Sequence, residues 1–182
     1  MAVSEVFGVL GIDVSPIRDS KGASLQVELH CATAELAMAD ADVGYSGQVD
    51  VSAEVTNTGF GMVVRGWVSV IVTSPCSRCL EPAGLPLRIA LFEEYRDGTA
   101  QGDTDLPGAD VESDFRAYSG GTVDLTDAVR DAIIVATPIR ILCRDDCIGL
   151  CPMCGANLAT HPCDCSPPGD LRFEALAKLL RP

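Results

Sequence analysis

Nine cysteines are spread unevenly along 182 residues. Six of them, Cys143, Cys147, Cys151, Cys154, Cys163 and Cys165, fall within residues 143–165. The centre of that run reads Gly149-Leu150-Cys151-Pro152-Met153-Cys154-Gly155. A Cys-x-x-Cys pair with Pro inside and Gly just after makes a tight knuckle. Both sulfurs point into it, and backbone N–H groups can hydrogen-bond to them. Tetrahedral zinc needs that geometry, with Zn–S distances of about 2.3 Å. Cys163 and Cys165 form another close pair, and Cys76-Ser77-Arg78-Cys79 repeats the two-residue gap much earlier in the chain.

With Cys143 and Cys147, the close pairs number four, enough for two four-thiolate sites. The preferred grouping joins Cys151 and Cys154 to Cys163 and Cys165, and Cys143 and Cys147 to Cys76 and Cys79. The alternative is one tail site built on Cys151 and Cys154 with ligands from either flank, leaving Cys76 and Cys79 as a metal-free turn. Cys31 reads as a small buried hydrophobe. His161, in His161-Pro162-Cys163, can replace one cysteine as a ligand or stand as a solvated loop residue. Four thiolates leave no open position for water, so zinc here is structural, and its binding supplies folding energy to a short polar tail.

Catalytic readings fare poorly. Thiol–disulfide exchange by Cys-x-x-Cys normally uses a βαβ setting and a lowered thiolate pKa. Zinc deaminase chemistry needs a His-x-Glu partner, and the two histidines, His30 and His161, do not supply one. No Gly-rich phosphate loop and no nucleophile with a plausible base is visible. The chain is expected not to be an enzyme, with a thiol redox protein as the remote alternative.

The elements that position these cysteines read as follows. Hydrophobic residues make up 47% of the chain and aromatics 5%, so the core must be built from Val, Ile, Leu and Ala. Residues 25–31 alternate, with Leu25, Val27, Leu29 and Cys31 on one side. Val49, Val51, Ala53 and Val55 alternate with Asp50, Ser52, Glu54 and Thr56, and Asn57-Thr58-Gly59 supplies turn chemistry. Residues 62–73 are rich in β-branched side chains and contain Trp67, which reads as core. A turn at 75–82 precedes a further strand at 85–95. These strands predict an antiparallel meander or open barrel. Residues 1–45 are otherwise hard to read, and 16–22 look loop-like.

Residues 93–131 hold three arginines against eleven Asp and Glu, so much of the net charge of −13 lies there. The stretch 97–108 reads as an exposed, mobile loop. A helix is predicted from near Asp124, whose carboxylate can cap free N–H groups, until Pro138 stops it. A last helix is predicted from Asp170 to Leu180, with Leu171, Phe173, Leu176, Ala177 and Leu180 as its stripe. The predicted fold is α+β: an antiparallel β domain at 1–95, an acidic loop and helix of the same domain at 96–142, and a Cys-rich zinc module with a closing helix at 143–182.

A pI near 4.3 does not suit an unassisted grip on a phosphate backbone. Residues 1–10 lack Lys and Arg and carry Glu5, unlike a secretory leader, and no apolar stretch is long enough for a membrane span. The expectation is therefore cytoplasmic, with reduced thiols.

Several stretches resemble the YceD family. They are Cys76-Ser-Arg-Cys79-Leu-Glu-Pro82, Val123-Asp-Leu, Ala132-Ile-Ile-Val-Ala-Thr-Pro138, residues 143–158, Cys163-Asp-Cys165 and Asp170-Leu-Arg-Phe173. The likeness covers about residues 45–182. It implies a cytoplasmic bacterial protein or an organellar relative, linked to accumulation of large-subunit ribosomal RNA, metal-binding and described in connection with nucleic acid. It establishes no catalytic residue. The expected role is then a non-enzymatic factor for the large ribosomal subunit, whose acidic segment attracts a basic large-subunit ribosomal protein or a pre-ribosomal particle. Direct binding of ribosomal RNA is the alternative, with Arg65, Arg78, Arg88, Arg140 and Arg144 as candidate contacts and Trp67 as a candidate stacking surface.

Overall fold

The computed structural model describes residues 9–38, 43–98 and 115–166. The chain divides into two compact units. One comprises the residues up to Ser74 together with Gly84–Ile139, and the other comprises Pro75–Ala83 and the chain from Arg140 onward. The turn bearing Cys76 and Cys79 therefore belongs to the same unit as the later cysteines. The predicted closing helix at 170–180 and most of the 97–108 loop lie outside the described residues.

In chain order the first unit contains β1 (Gly11–Asp13), α1 (Ser15–Arg18), β2 (Ser24–Ala32), a 3-10 turn (Thr33–Leu36), β3 (Gly44–Asn57), β4 (Met62–Pro75), β5 (Pro82–Asp97), β6 (Arg116–Tyr118), β7 (Thr122–Asp124) and α2 (Thr126–Ala136). The ends of β4 and β5 carry the chain into the second unit and back. The main sheet has five strands in the order β2-β3-β4-β5-β6, and β1 pairs with β7 in a separate ribbon. The β2–β3 and β3–β4 pairings are antiparallel. The sheet is open and does not close into a barrel, and its last pairing, β5 with β6, is parallel, a departure from the expected meander.

Alternation explains the strands. Val49, Val51, Ala53 and Val55 of β3 and Val64, Val68, Val70 and Val72 of β4 are buried, while Asp50, Ser52 and Arg65 face out. Trp67 has the outward parity of Arg65 and is 46% exposed, which corrects its reading as a core residue. Residues 16–22 are likewise not all loop, because Pro16 at the start of α1 fixes one helical turn. Asn57, 5% exposed, holds that turn to the sheet. Its amide donates to the carbonyls of Ile17 at 2.8 Å and Arg18 at 2.6 Å, and its side-chain oxygen accepts the Gly59 N–H at 2.7 Å.

Asp124 acts at the start of α2 from one residue before the cap position. Its carboxylate accepts the Thr126 N–H at 2.8 Å and the Thr126 hydroxyl at 2.6 Å. Ala128, Val129 and Ile133 bury one helix face, and the helix ends just before Pro138. Described members of the acidic segment are met by the protein's own arginines. Arg116 bridges Glu93 at 3.2 Å and Asp131 at 2.7 Å, Arg18 pairs with Asp97 at 2.7 Å, and Arg130 pairs with Asp127 at 2.6 Å. Among the described residues no helix is long and apolar enough to cross a membrane.

Candidate metal centre

Two knuckles in the second unit share one backbone pattern. The Cys76 N–H donates to the Glu81 carbonyl at 2.8 Å, and the Leu80 N–H returns to the Cys76 carbonyl at 2.9 Å. Five residues on from each first cysteine the pattern recurs: the Cys151 N–H donates to Ala156 at 2.8 Å, and the Gly155 N–H to Cys151 at 2.9 Å. The residue after the second cysteine must then be left-handed. Gly155 has φ +73°, which glycine adopts freely, and Leu80 has φ +63°. The Met153 N–H approaches the Cys151 sulfur at 3.4 Å, the backbone-to-sulfur contact that the knuckle reading anticipates.

The structure brings the eight cysteines into two groups of four. Cys76, Cys79, Cys143 and Cys147 form one, and Cys151, Cys154, Cys163 and Cys165 the other, with sulfurs in each group within 4.8 Å of one another. This is the grouping preferred from the spacing. Cys76 Sγ lies 3.8 Å from Cys147 Sγ, and Cys79 Sγ lies 3.6 Å from Cys143 Sγ. A tetrahedron with metal–sulfur bonds of about 2.3 Å has edges of about 3.8 Å. A disulfide would require about 2.05 Å. Either group could therefore hold a metal ion. His161 is exposed, stands 2.9 Å from the Thr160 hydroxyl through Nδ1, and belongs to neither group. Cys31 is buried on β2 and belongs to neither group.

Between the knuckles runs a set of hydrogen bonds that spacing alone does not reveal. Arg78, inside the first knuckle, donates from Nη1 to the Cys147 carbonyl at 2.7 Å. Its own carbonyl accepts the Leu150 N–H at 3.1 Å, and the Ser77 N–H donates to Ile141 at 2.9 Å. Gly149, at φ +88°, allows the close approach: a Cβ there would stand 3.0 Å from the Arg78 carbonyl oxygen. Arg78 is thus engaged in supporting the thiol groups, and Arg144 is paired with Asp146 at 3.4 Å.

Electrostatics within each group is uneven. Burial pushes the Cys76 thiol up, but backbone N–H groups of Arg78, Cys143 and Cys79 and the Cys79 thiol oppose it and bring it down to about 6. Burial and the thiols of Cys79, Cys147 and Cys76 push Cys143 up to about 12. Backbone N–H groups of Cys154 and Met153 draw Cys151 down to about 6, while the thiols of Cys154 and Cys163 push Cys165 up to about 12. In each group one sulfur favours the thiolate, and neighbours keep their protons because a second thiolate so close would repel the first. A divalent cation removes that conflict, since coordination deprotonates thiols outright.

Residues 64–180 match the family model described as large ribosomal RNA subunit accumulation protein YceD. An uncharacterized protein of Mycobacterium tuberculosis is 31% identical over 136 residues, covering 74% of this chain and 63% of that protein. A Zea mays protein named large ribosomal RNA subunit accumulation protein YCED homolog 1, chloroplastic, is 33% identical over 141 residues, covering 64% of this chain and 48% of its own length. The matched region thus spans less than two thirds of the length of either relative. No solved structure matches the chain.

Proposed function

The chain belongs to the YceD family, and from that premise we propose that it is a non-enzymatic metal-binding factor that supports accumulation of large-subunit ribosomal RNA. It does so by binding a basic ribosomal protein or a precursor particle of the large subunit. The observation that carries the reading is the family match over residues 64–180. The thiol groups add the chemistry. Soft thiolate donors in tetrahedral fours select zinc over harder cations. A filled four-thiolate site offers no position for substrate, so the metals would hold the second unit's loops in place, with the preferred count two zinc per chain. That work belongs where large subunits are assembled, which we take to be the cytoplasm.

The test is removal and restoration in the organism that encodes the chain. Loss should lower large-subunit ribosomal RNA relative to small-subunit RNA, and the restored chain should cosediment with large-subunit precursors. Unchanged RNA ratios, with the chain remaining at the top of the gradient, would refute the proposal. Direct RNA contact is favoured by one specific observation, the exposed Trp67.

A further inference from the structure

On the open sheet of the first unit, Trp67 of β4 and Phe92 of β5 are 46% and 62% exposed. Each ring carries a guanidinium from the other strand. Arg88 of β5 lies 4.7 Å from the Trp67 ring centroid, and Arg65 of β4 lies 5.2 Å from that of Phe92. The two contacts cross between the strands in opposite senses, so all four side chains share one face. Arg65 and Trp67 are two residues apart on β4, about 7 Å, and Arg88 and Phe92 are four apart on β5, about 13 Å, so the two pairs lie obliquely across the strands.

Among the described arginines, Arg78 and Arg140 form no salt bridge, and Arg78 donates to the Cys147 carbonyl. Arg18, Arg96, Arg116, Arg130 and Arg144 are all held in ion pairs. Arg65 and Arg88 form no salt bridge among the described residues; their recorded contacts are with the rings. In a chain of net charge −13, Arg65 and Arg88 bring two cations to one patch of two exposed rings, with Glu54 across from Arg65; Lys21 over the exposed Phe60 ring makes a further single contact of the same kind. A basic peptide would be repelled by the guanidiniums already occupying the ring faces. A planar base on an anionic backbone suits both components, because bases stack on aromatic rings and on Arg planes while phosphates meet the charge.

We propose that Trp67, Phe92, Arg65 and Arg88 form a stacking platform for a single-stranded RNA segment, a proposal that rests on the ribosomal RNA reading above. One base stacks at Trp67 and a neighbour at Phe92, with the guanidiniums sandwiching the bases or turning to the phosphates. Glu54, the cross-strand partner of Arg65, supplies a carboxylate acceptor for a base amino group. Duplex RNA is not a ligand for this face, because its bases are already stacked.

Trp67 is the only tryptophan in the chain, so its emission reports on the platform directly. The full chain is titrated with a fluorescein-labelled oligoadenylate RNA, following Trp67 emission and probe anisotropy, with inorganic polyphosphate and an oligodeoxyadenylate of the same length as parallel arms. Stacking predicts quenching by the base-bearing oligomers and none by polyphosphate, with tighter binding of RNA than DNA if ribose hydroxyls are read. Trp67→Ala and Phe92→Ala should each weaken RNA binding about fivefold or more. Arg65→Gln and Arg88→Gln should each flatten the salt dependence by about one. Both rings are exposed, so the variants should melt with the parent. If Trp67→Ala does not, Phe92→Ala and the aromatic-restoring Phe92→Trp decide the matter alone. RNA binding unaffected by loss of either ring overturns the platform, as does failure of the parent chain to bind. Restoration of ribosomal RNA accumulation by Trp67→Ala and Phe92→Ala chains as fully as by the parent also overturns it while leaving the proposed function standing. Failure of the parent chain to restore accumulation defeats that function instead.

Discussion

Gly149→Ala tests whether the two thiol groups share one backbone support. Gly149 has φ +88°, and an added Cβ would stand 3.0 Å from the Arg78 carbonyl oxygen and 3.3 Å from the Arg78 Cβ. A left-handed conformation costs an L-residue about 1–2 kcal/mol. The carbonyl must also move, which strains or breaks the Leu150-to-Arg78 hydrogen bond of 3.1 Å, a further 0.5–1.5 kcal/mol or so. The sum is about 2–3 kcal/mol. Metal binding and folding of such a module are one equilibrium, so the loss appears as an apparent zinc affinity weakened about 30- to 150-fold. Arg78 lies in the first knuckle and Gly149 between the ligands of the two groups, so both sites should weaken while the count at saturating metal stays at two. Gly155→Ala is the control. It has φ +73° but nothing within 4 Å of the added methyl, so it carries only the conformational cost, about 5- to 30-fold, and only at the second site. The assay is competition with a chromophoric chelator. An affinity for Gly149→Ala within threefold of the parent, or weakening at one site alone, refutes the reasoning.

Cys147→Ser should lower bound zinc from two to one per chain by elemental analysis, because the second group has its own four sulfurs; loss of both would show that the groups are not independent. Zinc affinity should fall as pH falls. At pH 7 Cys76 and Cys151, at about 6, have lost their protons, while Cys79, Cys143, Cys163 and Cys165, all raised, retain theirs. Each metal therefore displaces at least two protons and fewer than four, with a steeper loss below pH 6 as Cys76 and Cys151 also protonate; calorimetry in buffers of different ionisation heat counts them, and four per metal at pH 7 contradicts the assignment. Asn57→Ala removes the two hydrogen bonds that the amide donates to the Ile17 and Arg18 carbonyls and should cost about 1–3 kcal/mol in denaturant unfolding with zinc content unchanged. Equal stability of parent and variant would remove Asn57 as the anchor of α1.

How much of this was legible depended on length and on range. β2 to β5 are 9 to 16 residues long with one buried face, so a two-residue period is repeated often enough to read. β1, β6, β7 and α1 have three or four residues each, too few to carry a period, and tertiary pairing makes them. Trp67 was misread because its neighbours are apolar, yet its parity with Arg65, against inward Val64 and Val68, was available in the sequence. The cysteine pairs were visible as pairs. Their assembly depends on topology: Cys76 and Cys147 lie 71 positions apart, and no local rule says that they meet. The Arg78 and Gly149 support leaves no spacing signature, because it joins the backbone and one side chain of one loop to backbone atoms of another.

The distribution of thiol character also bears on whether these cysteines react or merely bind. A reactive cysteine combines a lowered pKa with access to its partner. Here the two properties sit on different sulfurs. Cys76 and Cys151, brought down to about 6, are 0% and 5% exposed. Cys143 and Cys165, which are exposed, are the ones pushed up to about 12. The close sulfur contacts at the first site also run between segments, Cys76 to Cys147 and Cys79 to Cys143, at 3.8 and 3.6 Å. A disulfide there would have to draw two loops together by more than an ångström, against the hydrogen bonds that Arg78 makes between them. Thiolates that are stabilised where solvent cannot reach, surrounded by protonated neighbours at tetrahedral edge lengths, suit a cation that displaces three protons or fewer and then stays. That is the arrangement expected of a structural metal site.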